Sequence, residues 1–142
     1  MDILEEMKRR IVLFDGGMGS LLQEAGLKMG ELPETWNIRH PEIVTRLQKE
    51  YLDAGADIIT SNTFGANRLK YRGSLEAFAE AGDITAVPDG EYPLEEIVRG
   101  ALACAREAVR QAGHGVVALD LGPTGHMLKP MGDLDFEDAV SL

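Results

Sequence analysis

Three stretches of this chain end in residue types that can do chemistry: FDGGMGS at 14–20, TSNTFGAN at 60–67 and LDLGPTGH at 119–126. Each follows a short apolar run. Asp15 offers a carboxylate, and Asn62 with Thr63 offers donors and acceptors side by side. Gly16 and Gly17 strip the main chain of side chains, so a ligand can approach backbone N–H groups. This set suits a small polar ligand that carries an anionic group such as a carboxylate. A tight turn that binds nothing has the same local signature, and a lone Asp-Gly-Gly does not decide between the two.

Other chemistries are poorly matched. The glycine spacing does not give the dinucleotide pattern G-x-G-x-x-G, and no G-K-[ST] follows to make a phosphate loop. Met18 reads as a packing residue. His40 precedes Pro41 and reads as a helix-start residue, His114 sits in a Gly-His-Gly turn, and His126 follows the third stretch. No pair of them has metal-ligand spacing. Cys104 is the one cysteine, which excludes a disulfide within the chain and the usual structural zinc site. It lies beside the apolar face of a helix, so a packed, inert thiol is expected.

The elements that must position these residues follow from periodicity. Ile3, Leu4 and Met7 suggest a short helix over about 2–9 that plugs the fold. Ile11 to Phe14 reads as a buried strand. Ser20 is placed to cap a short helix that Gly26 ends. Residues 27–40 read as a loop containing Pro33 and Trp36. From Pro41, Ile43, Val44, Leu47, Tyr51 and Ala54 form one stripe that Gly55 stops, and Ala56 to Thr63 gives the second strand. Residues 67–82 suggest a broken helix interrupted by Gly73, and 86–93 a turn region. A strong helix runs from Pro93 to about Ala112, with Leu94, Ile97, Val98, Ala101, Leu102, Ala105 and Val109 on its apolar face and Gly113 closing it. Residues 115–125 give the third strand and its exit loop, and Asp135 is placed to cap a last helix starting at Phe136. Helix, glycine turn, strand is the rhythm of a parallel α/β sheet. In such a sheet all carboxyl ends share one side, so the three polar stretches are expected to converge there.

Composition sets bounds on partners. The chain has 142 residues, enough for one domain, and a formal net charge of −10 spread along its length. That balance argues against nucleic acid or an anionic membrane as the main partner. No run reaches the ~18 apolar residues of a membrane span. The N-terminal residues lack a signal-peptide core, so a cytoplasmic location is the default expectation.

Taken in order, IVLFDGGMGSLLQ (11–23), ELPETWNIRHPEIV (31–44), KEYLDAGADIITSNTFGANRLK (49–70) and ALDLGPTGHMLKPMG (118–132) resemble the start of the homocysteine S-methyltransferase family. The likeness is strongest to the homocysteine-binding module of its cobalamin-dependent, methionine-forming branch, and covers residues 11 to 142. The resemblance implies a (β/α)8 TIM barrel, a fold of roughly 250 residues. Residues 1–142 then form one incomplete domain of about three βα units, the opening portion of such a barrel.

The resemblance also implies the reaction: a methyl group passes to the thiolate sulfur of homocysteine, giving methionine. Family members hold zinc through three cysteines, and donors include methylcobalamin charged from methyltetrahydrofolate. Carried over residue by residue, Asp15, Gly16 and Gly17 match the strand end that meets the amino-acid part of homocysteine. Asn62, Thr63 and Phe64 match the second exit, and Gly122, Pro123 and Thr124 the third. The zinc cysteines have no counterpart here, and Cys104 matches none of them. This chain alone is therefore expected to bind no catalytic zinc, to carry no catalytic residue of its own and to show no methyltransferase activity. Cobalamin and methyltetrahydrofolate would act through other modules. Residues 81–92 make the segment before Pro93 longer than is usual in the family and are read as a surface loop. Three parallel strands cannot close a barrel, so association with the barrel remainder or with another copy of the chain is expected. Two other readings stand beside this one: a non-catalytic assembly module and a small-anion-binding α/β domain.

Overall fold

The computed structural model describes residues 2–72 and 92–141. Its elements in chain order are α1 (Ile3–Met7), α2 (Met18–Glu24), a 3-10 turn (Pro33–Thr35), α3 (Trp36–Arg39), α4 (Pro41–Asp53), β1 (Ile58–Thr60), α5 (Arg68–Arg72), α6 (Leu94–Ala112), β2 (Val116–Ala118) and α7 (Phe136–Ser141). The expected turn over 86–93 and the segment 81–92 fall almost wholly outside the described residues, as does the broken part of the helix after Arg72.

Two long helices carry the core. Pro41 starts α4 and Gly55 follows it; α6 ends where Gly113 takes a φ of 75°, a left-handed turn that glycine enters without a Cβ penalty. The most extensive packing in the fold is α4 against α6. The α6 face that meets α4 is built from Ile97, Ala101, Cys104, Ala105 and Ala108, all buried. Its small side chains let the helices approach closely. One apolar cluster joins Leu22, Leu27, Trp36, Val44, Leu47 and Cys104, with Met18 packed against it; a second joins Leu52, Ile59, Ala105 and Ala108. Cys104 is the packed thiol expected, and burial pushes its pKa up.

The sheet is parallel. β1 pairs with β2 in the register Ile58↔Val116, Ile59↔Val117 and Thr60↔Ala118. On the other side of β1, Phe14 makes a parallel bridge to Ile58, Asp15 N–H donates to the Ile58 carbonyl at 2.9 Å, and Ile58 N–H donates to the Leu13 carbonyl at 3.1 Å. The spatial order is therefore first segment, β1, β2, as the rhythm of the sequence implies.

Several local expectations are corrected. The segment 11–14 is not a buried strand: Ile11 is 82% and Phe14 60% exposed, because among the described residues only β1 flanks it. The α1 helix does not plug the fold, since Leu4 and Met7 face solvent. Ser20 does not cap α2. The helix begins three residues earlier, with Gly17 at the cap, and the Ser20 hydroxyl donates back to the Gly17 carbonyl at 3.5 Å. Residues 33–39 are not loop but two short helical turns, and the His40 ring packs 4.6 Å from Trp36 at the start of α4. The last helix does start at Phe136 with Asp135 before it, whose carbonyl accepts from Ala139 N–H while its carboxylate takes the Lys129 ammonium at 2.7 Å.

The chain before the sheet is tied down by charge. Arg10 grips Asp57 with two bonds of 2.8 Å, and Asp57 also accepts from Leu13 N–H at 3.0 Å. These donors, the guanidinium first, hold the Asp57 pKa down at about 2. A depressed carboxylate contributes stability above its unfolded value, ~3.9, and loses it as pH falls through the folded one. The gap in thermal midpoint between the parent chain and Asp57→Asn should be present at neutral pH. It should close as the pH drops from ~3.9 toward about 2, a trend that thermal unfolding across pH reads directly.

Candidate functional site

The carboxyl ends of the three parallel segments share one edge, and side chains stitch them together. At the first end, Asp15 Oδ2 accepts from Thr60 N–H at 2.8 Å, and the Thr60 hydroxyl lies 3.1 and 3.2 Å from the two carboxylate oxygens. Asp15 is partly buried. Burial raises its pKa, the charge of Asp120 adds to the rise, and the Thr60 donors oppose it. At the second and third ends, the Thr63 hydroxyl donates to the Asp120 carbonyl at 2.6 Å, and Asp120 N–H donates to Ser61 Oγ at 3.2 Å.

The two glycines of the first end differ. A Cβ on Gly16 would lie 2.9 Å from the Tyr51 hydroxyl oxygen and 3.2 Å from its ring, so that side-chain space already belongs to Tyr51. A Cβ on Gly17 would meet only Ser20 Oγ, at 3.9 Å. The sequence suggests that both positions were cleared for a ligand; at Gly16 the space is filled by the phenol. Among the described residues, the N–H groups of Gly16 and Gly17 make no hydrogen bond.

Asn62 and Thr63 are buried, and their side chains hold structure. Asn62 Nδ2 donates to the Pro33 carbonyl at 2.8 Å and to Asn37 Oδ1 at 2.9 Å, while Asn37 Nδ2 returns a bond to the Asn62 carbonyl at 2.8 Å. Phe64 is exposed at the rim, with the Lys70 ammonium 4.7 Å from its ring centre. Gly122 lies against the Phe64 backbone so closely that a Cβ would run into the Phe64 carbonyl. The Pro123 carbonyl accepts from Asn67 Nδ2 at 3.5 Å. Thr124 spends its hydroxyl on His126, donating to its carbonyl and accepting from its N–H.

The nine residues singled out from sequence thus sit along one edge, but unevenly. Asp15, Gly17, Phe64 and Pro123 present surface there; Asn62 and Thr63 work from behind. Sequence reasoning missed Thr60, Asn37 and Tyr51. Tyr51 was visible only as one member of a helical stripe, although a hydroxyl at the end of an apolar stripe signals a tip that needs a polar partner. A hollow of about 640 Å³ between Arg68 and the first half of α6 includes none of the nine.

The described residues do not fit a zinc centre. The one thiol is buried against the Asn37 carbonyl at 3.8 Å with its pKa raised, and among the described residues no three His, Cys, Asp or Glu side chains come together. No helix among the described residues is long and apolar enough to cross a membrane.

The family model described as homocysteine S-methyltransferase matches residues 12–142. The chain belongs to the homocysteine S-methyltransferase family. Two methionine synthases are among the proteins it is similar to. That of Mycobacterium leprae is 35% identical over 113 residues, spanning 66% of this chain and 9% of the relative. That of Mycobacterium tuberculosis is 33% identical over 72 residues, 46% of this chain and 6% of the relative. Among solved structures, the metallated form of the Escherichia coli homocysteine methyltransferase MmuM superposes with a TM-score of 0.60 at 21% identity, over 85% of this chain and 41% of that one. Its apo form gives 0.54 at 20% identity. At such identity the superposition speaks for the fold. The chain spans less than half of every one of these relatives.

Proposed function

We propose that this chain supplies the amino-acid-holding strand ends of a homocysteine S-methyltransferase, as the opening portion of a (β/α)8 barrel. The observation that carries the reading is the first strand end. There a carboxylate held by Thr60 stands beside two glycine N–H groups that make no hydrogen bond among the described residues. Asp15 takes the ammonium of homocysteine, and the Gly16 and Gly17 N–H groups take its carboxylate. Phe64, Gly122, Pro123 and Thr124 form the wall, with Asn62 and Thr63 fixing the second exit behind it. The substrate sulfur then points away from this edge, toward the part of the site that activates it.

No step of methyl transfer is assigned to residues of this chain. Zinc, cobalamin and methyltetrahydrofolate are bound by other parts of the full enzyme, which we place in the cytoplasm. The exposed apolar residues Ile11, Leu13 and Phe14 on one side of the sheet, and Leu119 and Leu121 on the other, fit a neighbour that continues it. That neighbour is the remaining barrel polypeptide or a second copy of the chain.

Calorimetric titration of L-homocysteine into the chain tests the reading. Saturable binding is expected, weakened roughly tenfold or more by Asp15→Asn, the scale of one charged hydrogen bond. Asp15→Asn should keep its thermal midpoint, since burial disfavours the ionised carboxylate in the first place. Only the ionised form holds an ammonium and its pKa is raised, so affinity should begin to fall on acidification above the ordinary carboxylate value of ~3.9. Binding of inorganic phosphate without homocysteine would replace this reading with the small-anion one, which the same two N–H groups also suit.

A further inference from the structure

The geometry points to Tyr51 as a positioning residue for the amino-acid site: its phenol holds the Asp15–Gly16–Gly17 turn in the conformation that presents the glycine N–H groups to the ligand. This inference rests on the homocysteine reading and names a residue that acts through the turn, not on the ligand.

Two observations at Tyr51 meet. Its hydroxyl donates to the Gly17 carbonyl at 3.1 Å, from a helix residue 34 positions further along the chain. Its ring occupies the space a Gly16 side chain would need, with the oxygen 2.9 Å from an ideal Cβ. One group therefore pins the turn twice, through a bond to the second glycine and through contact beneath the first. The pin is itself anchored, because Tyr51 packs against the cluster of Leu52, Ile59, Ala105 and Ala108. On the other side of the turn, Asp15 is fixed to Thr60. The peptide between the two anchors has little freedom left, which lowers the ordering cost of binding. Burial and the neighbouring Asp15 charge both raise the phenol pKa, so the hydroxyl stays a donor through the neutral range.

Tyr51→Phe keeps the ring and removes the donor. Homocysteine affinity should fall roughly three- to tenfold, the scale of one neutral hydrogen bond, with the thermal midpoint nearly unchanged. Gly16→Ala keeps the phenol but pushes its hydroxyl and ring edge aside, and should weaken binding as well. The double variant should lose less than the product of the two, because both changes release the same turn. Losses that simply multiply, or a Tyr51→Phe chain that binds as the parent does while Asp15→Asn fails, would overturn the role of Tyr51 and leave the homocysteine reading standing. A parent chain that binds no homocysteine would overturn both. If Tyr51→Phe lowers the midpoint as much as it lowers affinity, the tyrosine serves stability and the inference falls.

Discussion

Adding one methyl group at Gly122 is expected to cost the chain on the order of 10 °C in thermal midpoint, or its fold altogether. The Cβ of Gly122→Ala would run into the carbonyl oxygen, carbonyl carbon and Cα of Phe64. These are main-chain atoms on the neighbouring strand exit. No rotamer change clears them, so the second and third exits must move apart. The bonds from Thr63 to the Asp120 carbonyl and from Asp120 N–H to Ser61 oppose that movement. Overpacking of a closed site costs ~1–3 kcal/mol, and more where backbone must shift. The control is Gly19→Ala, where a Cβ meets nothing within 4 Å inside α2. That variant should gain stability, by roughly 0.5–1 kcal/mol, since alanine suits a helix interior better than glycine. Thermal unfolding of both variants beside the parent measures the contrast. Equal midpoints would mean that the two exits are not in the contact described.

The second large loss is expected from the amide pair that joins the 33–39 turns to the exit of β1. Asn37 is buried, gives Nδ2 to the Asn62 carbonyl and, at 3.4 Å, to the Ile97 carbonyl, and receives the Asn62 amide on Oδ1. Asn37→Ala strands a buried carbonyl and a buried N–H at once. Each unsatisfied group costs ~1–3 kcal/mol, which puts the total at roughly 2–4 kcal/mol once Pro33 and Ile97 contacts are kept in view. Asn37→Asp is the sharper test. It keeps the acceptor for Asn62 but turns the donor into a second acceptor facing a carbonyl, and places a charge in a buried site. It should be the worse of the two at neutral pH. Urea denaturation midpoints give the order; a variant at either position that matches the parent would show the pair to be dispensable.

These sensitive points were only partly legible beforehand, and the reason is physical. The two long helices are written plainly: Pro41 and Gly55 bound α4, and Pro93 and Gly113 bound α6. Their apolar stripes are harder to place. On α4, spacing selects Ile43, Val44, Leu47, Tyr51 and Ala54, whereas Val44, Thr45, Leu47, Gln48 and Leu52 are buried. The difference lies in the polar pair. Gln48 donates to the Thr60 carbonyl at 3.0 Å and Thr45 to the Cys104 carbonyl at 3.5 Å, so partners from other elements make burial affordable for side chains that a hydrophobic count sends outward. The turns at 33–39 are shorter than any period that could announce them, and their burial depends on Asn62, which lies 25 residues away from Asn37.

The candidate site divides in the same way. Asp15, Gly16 and Gly17 stand out because they offer a carboxylate and bare main chain at the end of an apolar run, although a tight turn has the same local signature. The placement of all nine residues on one edge follows from the parallel rhythm, and the strand register agrees with it. Their division into surface and support was not legible. Whether Asn62 faces a ligand or the protein interior depends on whether Asn37 is there to meet it, and a single sequence carries no mark of that pairing. Gly16 makes the same point in reverse: its lack of a side chain is explained by a phenol from α4, which no local pattern announces.

The stitches along the edge also join parts of the chain that are far apart in sequence. Asp15 to Thr60 spans 45 residues, Thr63 to Asp120 spans 57 and Asp120 to Ser61 spans 59. Each closes a long loop, at a cost in chain entropy that the packing of α4 against α6 helps to offset. The edge therefore exists only in the folded chain. A small molecule that settled there would act as a latch on the whole, because it would bind the folded chain and not the unfolded one.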